Sequence, residues 1–265
     1  MKHLIPGALV CLALGSGLFA VESSQFHWDG EIGKGQVLEI KGVNGGIAAE
    51  AASGSRAEVS ARKSANRSDP ASVEIVVVPH SGGVTICAVY PSKDAQPNEC
   101  KPGNSGRNNV SNNDVQVHFT VRVPAGVKFV GKTVNGKIDA RQLQGDAEAY
   151  TVNGQVAIST NGNAQARTVN GAIDVVCGDG NWTETREFKT VNGAISVTLP
   201  EATNAAVTAN TLNGGIETDF PLTVSGFVGK KLTGTIGSGG RQLNVSTVNG
   251  RIRILKQGGR RTGSV

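Results

Sequence analysis

An all-β, stacked-repeat fold is what this sequence predicts, on three observations. Close copies of Thr-Val-Asn-Gly-x-Ile recur along the second half of the chain, and the motif positions follow one another at 18, 17, 22, 21, 20 and 16 residues. Such near-constant spacing marks an architecture built from one repeated unit. Glycine is abundant, 36 of 265 residues, while aromatics are only 4%; the glycines fall at turns and repeats instead of forming a low-complexity run, as in a turn-rich β protein. Beyond the first twenty residues, apolar positions recur at two and not at three and four, which is the period of strands.

The chain opens with a segment that reads as an export signal, residues 1–20. Met1-Lys2-His3 is a short basic start, and Leu4 to Phe19 is an apolar run with Gly and Ser near its end. Cleavage is expected near Ala20, and the mature protein is expected in the periplasm, at the cell surface or in the medium. Cys11 lies inside the apolar run, a poor place for lipid attachment. No later stretch approaches the roughly 20 apolar residues of a membrane-spanning helix. Lys2 is the only charge in the leader, so its removal takes the formal net charge from +5 to +4. That balance is mild. With no clustered aromatic and basic platform, nucleic acid is not an expected partner.

Residues 21–126 form an N-terminal β region. Phe26 and Trp28 alternate with polar residues, which suits a short strand capping one end of a stack. Val37 to Lys41 is the next strand, followed by an outlying copy of the motif at Val43-Asn44-Gly45-Gly46-Ile47. Further strands are expected at Ala57 to Ala61, Val73 to Val78, Val84 to Tyr90 and Val115 to Val123, separated by turn-forming residues. Residues 91–114 are dominated by Pro, Asn, Ser, Gly and Lys, have little to bury, and read as a long surface loop. In an oxidising compartment Cys87 and Cys100 are the natural disulfide pair, anchoring the first half of that loop. Cys177 is then unpaired and reads as a small buried apolar residue. Cys and His are too few, and wrongly spaced, for a zinc site.

Residues 127–255 are expected to form the repeat solenoid, continuous with the preceding region. The motif pairs are Asn135-Gly136, Asn153-Gly154, Asn170-Gly171, Asn192-Gly193, Asn213-Gly214, the degenerate Thr233-Gly234, and Asn249-Gly250. Asn-Gly between β runs is normally a hairpin signal. A two-residue hairpin, however, would set the Val before the Asn and the Ile three after it on opposite faces. A continuous strand puts Val, Gly and Ile on one face, so a β-solenoid of short parallel strands is expected, with an antiparallel meander as the alternative. Small or apolar residues upstream, such as Ala147, Ala149, Ala164, Ala166, Val207 and Ala209, make a second inward strand across a corner near the Thr. Stacked at about 4.8 Å per rung, the Asn residues would form a hydrogen-bonded amide ladder, interrupted by Thr233 before Asn249. Residues 256–265 are expected to be a mobile tail.

With the repeats in place the chain resembles the bacterial putative-adhesin family of β-strand-repeat proteins, a domain-of-unknown-function group. The resemblance rests on the Thr-Val-Asn-Gly-x-Ile copies, on Gly83-Val84-Thr85-Ile86-Cys87-Ala88-Val89-Tyr90-Pro91, and on Val121-Arg122-Val123-Pro124-Ala125-Gly126-Val127. It implies an exported, non-enzymatic, solenoid-like domain, and it supplies no binding residues.

No residue pattern identifies a ligand, a cofactor or a catalytic group. The first functional reading is an adhesin-like or structural module of the cell envelope, presenting its outer faces and loops to an envelope protein or a glycan. The exposed candidates for sugar stacking are few: Trp28, Trp182, Tyr90 and Tyr150. A second reading is a polysaccharide-active enzyme on a β-helix. Asp139, Asp174 and Glu217 share the outward position four after the motif Asn, but on alternate rungs about 10 Å apart, beyond the usual catalytic carboxylate spacing. His27, His80 and His118 are scattered. A third reading is a partner in envelope-stress sensing, for which the sequence has no specific feature. Arg251, Arg253, Lys256, Arg260 and Arg261 read as a solvated strand face and tail.

Overall fold

Each Asn-Gly motif turns the chain from one sheet into a second one facing it, so that one repeat is one rung of a flattened coil. The computed structural model describes residues 25–179, 182–228 and 230–258. The leader and residues 259–265 of the tail lie outside them. The strands are β1 (Gln25–Glu31), β2 (Val37–Lys41), β3 (Ile47–Ala51), β4 (Arg56–Ser64), β5 (Glu74–His80), β6 (Gly83–Val89) and β7 (Gln116–Val123). Then come β8 (Lys128–Lys132), β9 (Ile138–Leu143), β10 (Ala147–Tyr150), β11 (Val156–Thr160), β12 (Ala164–Arg167), β13 (Ile173–Cys177), β14 (Arg186–Lys189) and β15 (Ile195–Leu199). The chain ends in β16 (Ala205–Asn213), β17 (Ile216–Thr218), β18 (Leu222–Val228), β19 (Lys231–Ile236), β20 (Gln242–Asn249) and β21 (Ile252–Lys256).

One sheet has the order β1-β4-β7-β3-β9-β11-β13-β15-β21-β17 and the other β18-β19-β16-β20-β14-β12-β10-β8-β2-β6-β5. The rungs pair in parallel, Ile138 beside Val156 beside Ile173 beside Ile195 in the first sheet, and Phe129 beside Ala147 beside Ala164 in the second. Both sheets turn alternate residues inward. Ile138, Val156, Ile158, Ile173, Val175, Ile195 and Val197 face Phe129, Ala147, Ala149, Ala164, Ala166 and Phe188 across a core from which water is excluded. Alanine opposite Val or Ile keeps the sheets close, as a coil with short corners requires.

The rungs do not stack in chain order. The β2–β3 rung lies between the β6–β7 rung and the β8–β9 rung. At the other end the β20–β21 rung is inserted between β14–β15 and β16–β17. In the β6–β7 rung the long segment 90–115 takes the place of the motif corner. Antiparallel strands close three of the four sheet ends: β4 and β1 on β7, β5 on β6, and the hairpin β18–β19 on β16.

Thr233 and Gly234 therefore do not form a rung, contrary to the repeat reading. They lie on β19, antiparallel to β16, where Thr233 stands opposite Thr208 and Gly234 opposite Val207. The degenerate copy keeps the strand's apolar alternation, with Leu232 and Ile236 buried, but it lacks the Asn that a rung corner uses. The amide column accordingly passes from Asn192 to Asn249 and only then to Asn213. Among the described residues no helix is long and apolar enough to cross a membrane.

Candidate functional site

The most regular outward feature is the corner itself, and it departs from the sequence reading twice: the chain turns from one sheet to the other at the Asn-Gly, where one continuous strand from Val to Ile was expected, and the inward residue is a different one. The motif Thr, not the Val, points inward: Thr133, Thr151, Thr168, Thr190, Thr211 and Thr247 are buried, whereas Val134, Val152, Val169 and Val248 are 37–38% exposed. A buried hydroxyl needs a partner, and here each one finds carbonyls of the rung below. Thr151 Oγ1 donates to Val134 O (3.3 Å) and Gly136 O (3.0 Å), and Thr190 Oγ1 to Val169 O (3.3 Å) and Gly171 O (2.9 Å). The same Val carbonyl also accepts two backbone N–H groups, as Val134 O does from Val152 and Asn153. Three donors on one carbonyl hold the corner tightly, and the following Val is turned outward.

The Asn side chains run outside the Val in an unbroken amide ladder. Nδ2 of Asn135 donates to Asn44 Oδ1 (2.9 Å), Asn153 to Asn135 (2.8 Å), Asn170 to Asn153 (2.8 Å), and Asn192 to Asn170 (2.8 Å). Asn249 donates to Asn192 and Asn213 to Asn249, both at 2.7 Å. The motif Gly sits where carbonyls of successive rungs are stacked so closely that a Cβ would run into the Gly carbonyl below, at Gly136, Gly154, Gly171, Gly193, Gly214 and Gly250 alike. Beside the ladder, Val134, Val152, Val169, Val191, Val248 and Leu212 make a continuous apolar ridge across six rungs, roughly 24 Å long at the usual strand spacing.

The ridge ends at residues 91–114, which close over the outer face of the second sheet. Cys87 and Cys100 form a disulfide with Cα atoms 5.7 Å apart. Beyond it the segment is staked down by charge. Glu39, almost wholly buried, pairs with Lys132 (2.8 Å) and accepts from Thr85 Oγ1 and Gly103 N, each at 2.9 Å. Lys132 Nζ also donates to Gly103 O (2.8 Å), and Lys41 Nζ to Lys101 O (2.5 Å) and Ser105 O (3.0 Å). Burial and the neighbouring Lys132 charge hold the Lys41 ammonium below its ordinary pKa, against the pull of Glu39. At the far end of the segment, the Asp114 carboxylate is held down at about 2 by the backbone N–H and hydroxyl of Ser68 and the N–H groups of Asn66 and Arg67. Asn44, the first amide of the ladder, donates to Asn113 O (3.4 Å), so ladder and loop meet. Cutting the disulfide removes a constraint on a loop of 13 residues; Cys87→Ser with Cys100→Ser should destabilise by roughly 3 kcal/mol in the chain-entropy model, read as a lower urea midpoint that reductant reproduces in the parent chain.

The remaining sequence candidates are not brought together. Asp139 is on β9 and paired with Arg141 (2.7 Å), which lowers its pKa. Asp174 is on β13, two strands away in the sheet order, and Glu217 on β17 lies 3.4 Å from Arg251. His27 contacts Ser60 Oγ (3.3 Å), His80 contacts Thr85 Oγ1 (3.3 Å), and His118 accepts from Gly46 N (3.2 Å). Trp182 is buried, its Nε1 donating to Gln242 O (3.1 Å), and Tyr90 is buried with its hydroxyl donating to Val115 O (2.8 Å), so neither is a stacking platform. Cys177 is buried, and burial pushes its thiol up to about 12. Among the described residues no group of three His, Cys, Asp or Glu is placed to hold a metal ion.

The family model Toastrack DUF4097 matches residues 103–255. No curated protein matches the chain in sequence. A solved structure of a candidate cell adhesion protein from Clostridium sporogenes superposes with a TM-score of 0.48 at 13% identity, over 89% of this chain and 100% of that one. A candidate adhesin from Bacteroides fragilis gives 0.36 at 10% identity, over 88% and 97%.

Proposed function

The chain belongs to the Toastrack DUF4097 family, and from that premise we propose that it is an exported, non-enzymatic, adhesin-like module that binds a component of the cell envelope through its ridge. The observation that carries this reading is the apolar column Val134, Val152, Val169, Val248 and Leu212, exposed beside an unbroken row of amides. Single exposed apolar residues are ordinary, but a contiguous line of them marks an interaction surface. The amides add donors and acceptors at a fixed repeat, so the matching ligand is extended and runs along the stack, as an envelope glycan does. The disulfide supports an oxidising destination, and the apolar leader supports export.

Co-sedimentation with purified peptidoglycan tests the reading. The parent chain should pellet with the polymer, and Val152→Asp with Val169→Asp should remain in the supernatant. Because both side chains are already partly in water, the double variant should melt within about 1–2 kcal/mol of the parent. Retention unchanged by the two aspartates would sink the ridge as the contact surface.

A further inference from the structure

Among the described residues three of the four sheet ends are closed by antiparallel strands, and the fourth, β17, is not. Natural sheet edges are blunted by charge, proline or a covering element. β1 carries the Asp29–Arg56 ion pair, β5 carries Pro79, and the hairpin β18–β19 covers β16 up to Asn210. The Thr211 N–H still donates to Lys230 O of that hairpin (3.0 Å), and beyond Thr211 nothing among the described residues is stacked on the last rung. Leu212 is 65% exposed, against 37–38% for the ridge valines that have a rung on both sides.

The six lower corners specify what this edge accepts. In each, the next strand offers a Thr hydroxyl to the Gly carbonyl, an Asn amide to the Asn Oδ1, and backbone carbonyls to the Gly and Ile N–H groups. Thr151 Oγ1 to Gly136 O (3.0 Å), Asn153 Nδ2 to Asn135 Oδ1 (2.8 Å), Gly136 N to Asn153 O (3.0 Å) and Ile138 N to Gln155 O (3.0 Å) are one such set. On the last rung the equivalent groups are Gly214 O, Asn213 Oδ1, Gly214 N and Ile216 N. A glycine is required after the incoming Asn, since any Cβ would meet the Gly214 carbonyl as it does at the rungs below. Glu217 faces outward at the position that would lie under the residue following the incoming Ile, so a cation there is favoured.

We propose that the edge formed by Leu212 to Thr218 is a docking site for one parallel strand of another polypeptide, with the pattern Thr-x-Asn-Gly-x-Ile followed by Lys or Arg. This is strand addition in which the amide ladder, and not only the backbone, reads the partner. The site shares Leu212 with the ridge but does not rest on the glycan reading.

The probe is a fluorescent peptide of residues 246–256, which carries Thr247, Asn249, Gly250, Ile252 and Arg253. Anisotropy with the full mature chain should show saturable binding. The peptide with Gly250→Val should bind at least about tenfold more weakly, the effect of one such clash on a packed contact, and a scrambled peptide not at all. Leu212→Glu in the protein should abolish binding while leaving the melting curve in place; the peptide variants keep the test open should that protein fail to fold. The Val152→Asp, Val169→Asp chain should bind the peptide as the parent does, which separates this site from the ridge. Equal binding of the Gly250→Val peptide, binding undiminished in a folded Leu212→Glu chain, or no binding by the parent would each overturn the proposal.

Discussion

Gly193→Val is expected to destabilise the chain by about 4 kcal/mol or more, at the severe end for one substitution, while Ala194→Val next to it should cost within about 1 kcal/mol. A core-facing bend is not the reason. Gly193 does not have a left-handed φ, so an L residue could adopt its backbone conformation. What forbids a side chain is the rung below: a Cβ on Gly193 would overlap the Gly171 carbonyl and lie 2.9 Å from Ala172 N. Those backbone atoms are fixed from both sides, because Gly171 O accepts from Thr190 Oγ1 (2.9 Å) and Gly171 N donates to Asn192 O (3.0 Å). A shift that relieved the overlap would break the threonine bond and open the amide ladder at Asn192. Paired urea melts of the two variants check this, and equal losses would contradict the close carbonyl stack.

The architecture was legible because its signal is repeated. Ile138, Val156, Ile173, Ile195 and Ile252 are buried at the same position of successive rungs, and five agreeing copies fix a register that one could not. The corner was less legible. Hydrophobicity favours Val191 over Thr190 as the inward residue, yet Thr190 is buried and its valine neighbour is turned out. A threonine hydroxyl can enter a core when carbonyls meet it there, and that depends on the rung below, which composition does not show. Rung order was illegible for a related reason. Thr211 to Ile216 and Thr247 to Ile252 present the same corner chemistry, so either could follow Asn192; the choice is made by β19, which occupies the edge of β16 that chain-order stacking would have used. Segment 91–114 carries few apolar residues and reads as a plain surface loop, but Glu39, Lys41 and Lys132, distant in sequence, tie it to the sheet.

Ending the chain at Arg241 should lower its melting temperature by about 10–20 °C, the shift that a loss of about 5 kcal/mol produces in a domain of this size. The deleted rung contributes Leu243, Val245, Ile252 and Ile254, all buried, and fully burying such side chains is worth about 1.5–3 kcal/mol each. It is flanked on both sides, by β14 and β16 in one sheet and by β15 and β17 in the other, so its removal opens a slot in the middle of the stack and not at an end. The β16–β17 rung could drop one step and close that slot, since Asn213 and Thr211 can meet Asn192 and Gly193 as Asn249 and Thr247 now do. The repair would be incomplete. Ala209 would stand where Val245 was and Thr218 where Ile254 was, by the present register, which replaces two large apolar groups with a smaller and a more polar one. A chain ending at Lys256 is the control, because it keeps the whole rung. Calorimetric scans of the two truncations check the expectation: a stop at Arg241 that melted within a few degrees of the control would mean that the β20–β21 rung is peripheral and that the inserted order is wrong.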